Sequence, residues 1–402
     1  MQVAGLSPLT GVLAIGLPYA GIFAKVFAEI MEEADTEAVA VLPAGTGALS
    51  AFAFARLPVL AARLGAYVGY RLECGLRSTL VLGFIGLPTL GFDLDGYFRV
   101  GDYREAAALL LMFYALIGTR GVWARTWTAP LLVAGSLLVL PGSTGSGDVL
   151  GNLHRLLAHD VVPAPLRAQG GWADPQAWGR TAGWLGSVLA HQVLPGAART
   201  LVLSQMAVVA SGLLALALFP LACRRFGGAG RQVGRLALLL ARATPDYMVA
   251  YVLLQALGPS MLPAVIALAL HNGGIVAFLL GSQADALPLR ADAPHRRLDL
   301  YAWEVLPRLY GQFVALTLYR WEIIMRESAI MGLLGVRTLG YYVDASISEL
   351  RLDETLVLIG AMVLLSMGTD TLSRRLRGVP RVRERPGQDD AWRQDTMIGA
   401  RQ

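Results

Sequence analysis

A pattern of 25 residues occurs twice in this chain, and both copies sit inside apolar sequence. Residues 70–94 read YRLECGLRSTLVLGFIGLPTLGFDL, and residues 319–343 read YRWEIIMRESAIMGLLGVRTLGYYV. They superpose without a gap. Tyr70, Arg71, Glu73, Arg77, Gly83, Gly86, Thr89, Leu90 and Gly91 recur as Tyr319, Arg320, Glu322, Arg326, Gly332, Gly335, Thr338, Leu339 and Gly340. The pair Leu57-Pro58 recurs as Leu306-Pro307, and GVLAIGLPYAGI at 11–22 parallels AVIALALHNGGI at 264–275 after a four-residue change of offset. That change falls in a connecting loop, where length differences are tolerated. The chain therefore holds two copies of one unit: apolar span, loop, Leu-Pro, span with an Arg/Glu cluster, Gly-rich stretch, final span.

Composition says what kind of unit this is. Of 402 residues, 55% are hydrophobic and only 16% charged, with a mean hydropathy of +0.53. Water-soluble chains carry about a quarter charged residues, so the fold expected is all-α and polytopic in a membrane. A crossing needs about 20 mostly apolar residues. Such stretches lie near 8–28, 58–77, 105–121, 128–142, 199–221, 243–258, 260–281, 306–326 and 355–372, about nine spans in all. The sequence is apolar by Leu13, so no cleavable leader is read at the N-terminus.

The net charge of +5 and pI near 9.3 do not point to nucleic acid, because of where the arginines stand. Arg224, Arg225, Arg231 and Arg235 follow one span, Arg290, Arg296 and Arg297 another, and Arg374, Arg375, Arg377, Arg381, Arg383 and Arg385 the last. Alternate loops are thus basic, the positive-inside pattern. It places 29–57, 120–127, 222–242, 282–305 and the tail from 373 in the cytoplasm. Segment 143–197 falls outside and reads as loop with short amphipathic helices, with Trp172, Trp178 and Trp184 suited to an interface. Both copies then run in the same orientation, as parallel repeats that set two like halves around a path. The boundaries read are 1–127 for a first repeat, 128–385 for a second, and 386–402 for a polar cytoplasmic tail. Copy two is preceded by three spans with no counterpart before copy one. The first unit is therefore expected to be incomplete at its N-terminus, its opening spans lying in upstream reading frame or in a neighbouring gene.

No enzyme motif is found: no GxxxxGK[ST], no GxSxG and no HExxH. Cys74 and Cys223 are the only cysteines and are not expected to pair, and His154 and His159 read as solvated rather than as metal ligands. The chemistry therefore rests on the intramembrane charges. Glu73 with Arg77, and Glu322 with Arg326, are four apart and can neutralise one another on one helix face. Arg71 and Arg320 lack such a partner on their own face. Three readings of them stand: an inter-helix salt bridge that fixes architecture, a guanidinium that attracts an anionic solute, or snorkelling to the interface. His271 and Asn272, near the middle of their span, are read either as a packed hydrogen-bonded pair or as lining of the solute path.

The loop before each Leu-Pro carries the remaining signal. Glu37-Ala38 precede Gly45, which precedes Pro58 by thirteen residues. This resembles the signature of ABC importer permeases: Glu-Ala-Ala, a Gly, then Leu-Pro. FAEIMEEADTEAV (27–39), ARATPDY (241–247), ALALHNGGI (267–275) and the 319–343 stretch resemble phosphonate/phosphite-type permeases of that family, over nearly the whole chain except about 143–197. The resemblance implies a type-I ABC importer permease, here two parallel permease units in one chain. It would move a small anionic solute across a bacterial inner membrane. Periplasmic solute-binding protein and separate ATPase subunits would be its partners, with ATP-Mg on the ATPase and no cofactor on this chain. The resemblance makes Glu37, Ala38, Gly45, Leu57, Pro58, Leu306 and Pro307 the ATPase-coupling elements, and Arg71, Glu73, Arg77, His271, Asn272, Arg320, Glu322 and Arg326 the solute path. In the second loop LRADAPHRRLD replaces the signature, with Pro294 where Gly is expected. That loop is expected to dock as a differently shaped element. An ion-coupled secondary transporter, or a membrane subunit that no longer transports, would also accommodate the repeats and the Arg/Glu pairs.

Overall fold

The computed structural model describes residues 7–32, 42–43, 46–84, 86–125, 127–139, 149–167, 172–258 and 260–378, and among these every regular element is a helix. Two compact units divide after His159. Unit one contains α1 (Pro8–Glu32), α2 (Leu57–Phe84), α3 (Leu90–Val100), α4 (Tyr103–Gly118) and α5 (Ala129–Val139). Unit two contains α6 (Pro175–Val188), α7 (Leu194–Ala222), α8 (Arg231–Ala243), α9 (Asp246–Leu257), α10 (Leu262–Ala286), α11 (Leu306–Ile330), α12 (Leu339–Ser348) and α13 (Leu352–Gly378). Short turns complete both units.

Every expected span falls on a helix, but not every helix is long and apolar enough to cross a membrane. Among the described residues four are, or up to six if two bent pairs each count as one. The difference from about nine has a plain cause. At ~1.5 Å per residue, α4, α5 and α9 are each shorter than a hydrocarbon core. The span expected at 243–258 is α9, bent by 91° from α8 at Thr244-Pro245. α11 has the length but carries Arg308, Arg320, Glu322, Arg326 and Glu327. A second expectation is also corrected. Residues 175–197 are not loop with short helices: α6 runs through a π turn at Leu189–Val193 directly into α7. Asp174 caps the start by accepting from the Gln176 amide at 2.9 Å, with Pro175 in the first turn.

Proline accompanies three of the four π segments among the described residues, all but Leu156–Asp160. Pro58, Pro195 and Pro307 each stand second in a helix immediately after a π segment, at Phe52–Arg56, Leu189–Val193 and Leu300–Val305. A proline lacks an N–H and crowds the carbonyl four residues back. Widening the preceding turn accommodates both effects without ending the helix.

Close backbone contact organises each copy. A Cβ on Gly91 would lie 2.0 Å from the Leu80 carbonyl oxygen, and one on Gly340 would lie 2.0 Å from that of Ala329. Gly83 and Gly332 meet the backbone of the same returning segments, at 2.1 Å from the Phe92 nitrogen and 2.2 Å from the Tyr341 nitrogen. The turn between them is also duplicated. Gly86 and Gly335 have φ of +98° and +82°, and the hydroxyls of Thr89 and Thr338 donate to the carbonyls of Thr79 and Ser328 at 3.0 and 3.5 Å. The glycines and threonine of the repeat are thus the parts of a tight helix reversal.

In unit two, α10 is the central helix, with 72% of its apolar window buried against 17% for α13. Small residues permit this. Cβ atoms on Gly273 and Gly281 would meet the Ser211 carbonyl oxygen at 3.0 Å and the Ala222 Cβ at 2.7 Å on α7. Phe219, Leu238, Val276, Leu280, Val305 and Leu309 fill the core around it. The segment from 160 to 193 is clasped to the start of α13. Asp353 accepts from the Ala164 amide at 2.9 Å and pairs with Arg167 at 3.2 Å. Glu354 accepts from Gln192 at 2.8 Å and pairs with Arg351 at 3.0 Å. Copy one has Arg104 at the place of Asp353, which cannot make this clasp.

Alanine at Gly340 or Gly332 should destabilise the protein by roughly 1–3 kcal/mol or more, because backbone cannot move aside for the new methyl. Gly360→Ala, where nothing lies within 4 Å, is the control. Thermal unfolding of the purified variants in detergent checks this: equal melting temperatures for Gly340→Ala and Gly360→Ala would contradict it.

Candidate functional site

Copy two gathers its buried polar residues where α10, α11 and the α8–α9 bend meet. Asn272 is fully buried, and its carboxamide faces two ways. Its Nδ2 donates to Glu327 Oε2 at 2.9 Å and to the Leu268 carbonyl at 3.1 Å, while its Oδ1 accepts from Arg320 Nη1 at 3.5 Å. Arg320 is 9% exposed. His271, also buried, donates from Nδ1 to the Thr244 carbonyl at 3.1 Å, which satisfies backbone freed by Pro245. Glu322 and Arg326 pair with each other at 3.0 Å, as their spacing predicts.

Copy one places its arginine at the same position with different neighbours. Arg71 lies over the rings of Tyr67 and Tyr19, 5.3 and 6.0 Å from the centroids, and its Nε donates to the Tyr67 hydroxyl at 2.7 Å. Tyr19 and Ser78 share a hydrogen bond at 3.5 Å. In the repeat alignment Tyr19 matches Asn272, Arg71 matches Arg320 and Ser78 matches Glu327. One three-residue arrangement is therefore built twice: the arginine faces the same residue of the opening helix, and that residue also reaches a polar side chain seven residues beyond the arginine.

One expectation about the charges is corrected. Glu73 does not pair with Arg77. Buried Glu73 pairs with Arg120 at 2.6 Å, and Arg77 donates to Cys74 Sγ at 3.6 Å. An inter-helix guanidinium fixed by the Gly69 carbonyl at 3.1 Å outcompetes a neighbour on the same helix. Arg71, expected to have no charge partner four residues away on its own face, donates there to the neutral Tyr67 hydroxyl. Arg320 meets the expectation of no partner on its own helix, and the group it finds on α10 is an amide rather than a carboxylate.

The Leu-Pro loops end alike. Leu57 and Pro58 are exposed, and Leu306 and Pro307 follow the equivalent π turn. Leu49 and Phe54 are 84% and 82% exposed, and their repeat partners Leu298 and Trp303 are 81% and 77% exposed. Despite Pro294, the second loop thus presents the same pair of apolar side chains. It is held by Glu304, which pairs with Arg308 at 2.6 Å and accepts from the Arg290 amide at 3.2 Å. Burial works against the Glu304 charge, but that amide and the two guanidinium groups outweigh it and hold the carboxyl below its ordinary pKa. The tether therefore persists through the usual carboxylate range and is lost only as pH falls below it. Glu37, Ala38 and Gly45 lie outside the described residues.

No protein-family model matches the chain. It is 25% identical over 398 residues to the phosphate-import permease protein PhnE of Mycolicibacterium smegmatis, covering 94% of this chain and 73% of that protein. It is 36% identical over 118 residues to the phosphite transport system permease protein PtxC of Stutzerimonas stutzeri, covering 29% of this chain and 43% of that one. A crystal structure of an amino acid ABC transporter is 16% identical, with a TM-score of 0.38, over 46% of this chain and 92% of the other. The chain is thus similar to permease proteins of phosphate and phosphite transport.

Sequence reasoning missed Tyr19, Ser78, Arg120 and Glu327 as members of the polar clusters. Tyr19 was legible, because the repeat aligns it with Asn272. Arg120 was not: its counterpart in copy two is Thr369, so the repeat gives no signal, and only the return of the chain after α4 brings it to Glu73. Removing one partner of such a pair leaves the other's charge buried. Arg120→Ala should cost about 1–3 kcal/mol of stability, discounted for the partial exposure of Arg120. Glu73→Gln in the same chain should restore most of it, as read from melting temperatures of the two variants; no recovery would mean that Arg120 stabilises through packing alone.

Proposed function

We propose that this chain is the transmembrane subunit of an ABC importer for a small tetrahedral oxyanion of the phosphonate/phosphite class. It would lie in a bacterial inner membrane, with repeats at 1–127 and 128–385 and a polar tail at 386–402 in the cytoplasm. A solute-binding protein delivers the anion from outside, and separate ATPase subunits holding ATP-Mg drive alternating access. The observation that carries this reading is the duplicated arginine: Arg71 and Arg320 face equivalent residues of the opening helix, the Tyr19 ring in one copy and the Asn272 carboxamide in the other. A guanidinium that meets an amide rather than a carboxylate in an apolar helix bundle, as Arg320 does, is costly for architecture alone and suits recognition of an oxyanion. The names of the relatives, phosphate-import and phosphite-transport permeases, agree with that charge.

The matching apolar pairs Leu49/Phe54 and Leu298/Trp303 support docking of a partner on both loops. Apolar side chains this exposed suit burial in a cleft of another subunit. The Arg320 and Arg71 sites and the loops then serve distinct steps, solute passage and energy coupling.

Two measurements test this. Arg71→Ala and Arg320→Ala should each reduce phosphite or phosphonate uptake by about tenfold while leaving the folded protein in the membrane near wild-type amounts. If both variants fail to accumulate while retaining uptake per folded molecule, the arginines are architectural. Phe54→Asp and Trp303→Asp should both abolish solute-stimulated ATP hydrolysis in the reconstituted complex. Loss in Phe54→Asp alone would show that only the first loop couples.

A further inference from the structure

The copy-two cluster has a carboxylate where the copy-one cluster has a hydroxyl. Glu327 stands where copy one has Ser78, and the Asn272 carboxamide separates its carboxylate from Arg320. Among the described residues the Arg320 guanidinium makes one hydrogen bond, at 3.5 Å, and no ion pair, although it is 9% exposed. Asn272 is held on both sides, with its Nδ2 engaged by Glu327 and by the Leu268 carbonyl, so its Oδ1 is fixed toward Arg320. An aspartate in that place would have met the arginine directly. An amide leaves the cation un-neutralised while still orienting it.

We infer that Arg320, Asn272 and Glu327 form a subsite that selects oxyanions still carrying an acidic O–H, and that Glu327 is the specificity-determining residue. This rests on the anion-import reading above. Arg320 supplies donors and attracts any oxyanion. The Glu327 carboxylate is acceptor-only when ionised. Two acceptors brought together in a buried site repel unless a proton lies between them. Hydrogen phosphate, hydrogen phosphite and monoprotonated phosphonates can donate that proton to Glu327. Sulfate has none at neutral pH, and leaves both oxygens facing without a hydrogen. A site built to accept from a ligand O–H rejects an isostere lacking it far more strongly than size alone could.

The test uses the purified full chain with its ATPase partner, and thermal protection by phosphate, phosphite or sulfate at matched ionic strength and neutral pH. Wild type should be protected by phosphate and phosphite at concentrations at least about tenfold below those needed for sulfate. Glu327→Gln, whose amide can donate as well as accept, should bring sulfate level with phosphate. Glu327→Ser installs the copy-one residue and should do the same, which guards against a folding defect peculiar to one substitution. Asn272→Asp places a carboxylate against Arg320 and should abolish protection by all three anions while the protein still accumulates; a merely structural Asn272 would lose accumulation instead. Equal protection of wild type by sulfate and phosphate, or an unchanged preference in both Glu327 variants, overturns the subsite. If that occurs while phosphite uptake by the complete importer still requires Arg320, the anion-import reading stands without it. If uptake is indifferent to Arg320 and Arg71, both fall.

Discussion

The carbonyl of Ala329 and the α-carbon of Gly340 are so close that no side chain fits between them, and the same is true of Leu80 and Gly91. Much else in each copy follows from this crossing. It turns the chain sharply after the charged helix and sets α12 and α3 against the ends of α11 and α2. In unit two it also presents the Leu339 amide to Thr200 Oγ1 at 2.9 Å, which ties the reversal to α7. Backbone groups in an apolar environment must find partners. The reversal provides them internally, through Thr338 and the amide of Gly335, which bonds to the Gly332 carbonyl at 3.0 Å.

Held by that reversal, the charged helix carries its arginine at a fixed depth, and the opposing helix decides what the arginine meets. On α1 it is an aromatic ring, within a group in which Tyr19, Phe23, Phe27 and Tyr67 pack edge to face or tilted. A ring face offers attraction without neutralisation. On α10 it is an amide, which offers a weak acceptor and passes a hydrogen bond on to Glu327. The two copies thus keep the cation and have diverged in its surroundings. The second carbonyl common to both shows the same economy of position. Gly69 is bonded by Arg120, just after α4, and its equivalent Leu318 by Ser373 on α13.

The loops show how a conserved geometry can outlast a motif. Pro294 and the basic LRADAPHRRLD sequence suggest a differently shaped element, and the part of the second loop before residue 297 does differ in composition. From Arg297 onward, however, a short helix, a π turn and Leu-Pro follow in the same register as Ala48–Ala51, Phe52–Arg56 and Leu57-Pro58. The proline enforces the π turn, and the π turn fixes which side chains stand outward, so Phe54 and Trp303 are exposed alike.

Periodicity, composition and the internal repeat were enough to establish an all-helical chain of apolar spans, the equivalence of Arg71 with Arg320, and the glycines of the reversal. These are local or duplicated properties: an apolar stretch must be helical in a membrane, and a repeat reports its own register. The pairing of charges was decided only in three dimensions. Spacing on one helix allowed Glu73 to meet Arg77 and equally allowed Glu322 to meet Arg326, yet only the second pair forms, because Arg120 reaches Glu73 from another helix. Likewise 175–222 became one long helical run because a π turn absorbed Pro195, and Asn272 was set between Arg320 and Glu327 by the glycine-lined packing of α10. Sequence spacing ranks the partners within a helix; which partner wins depends on the distance and desolvation that the other helices impose.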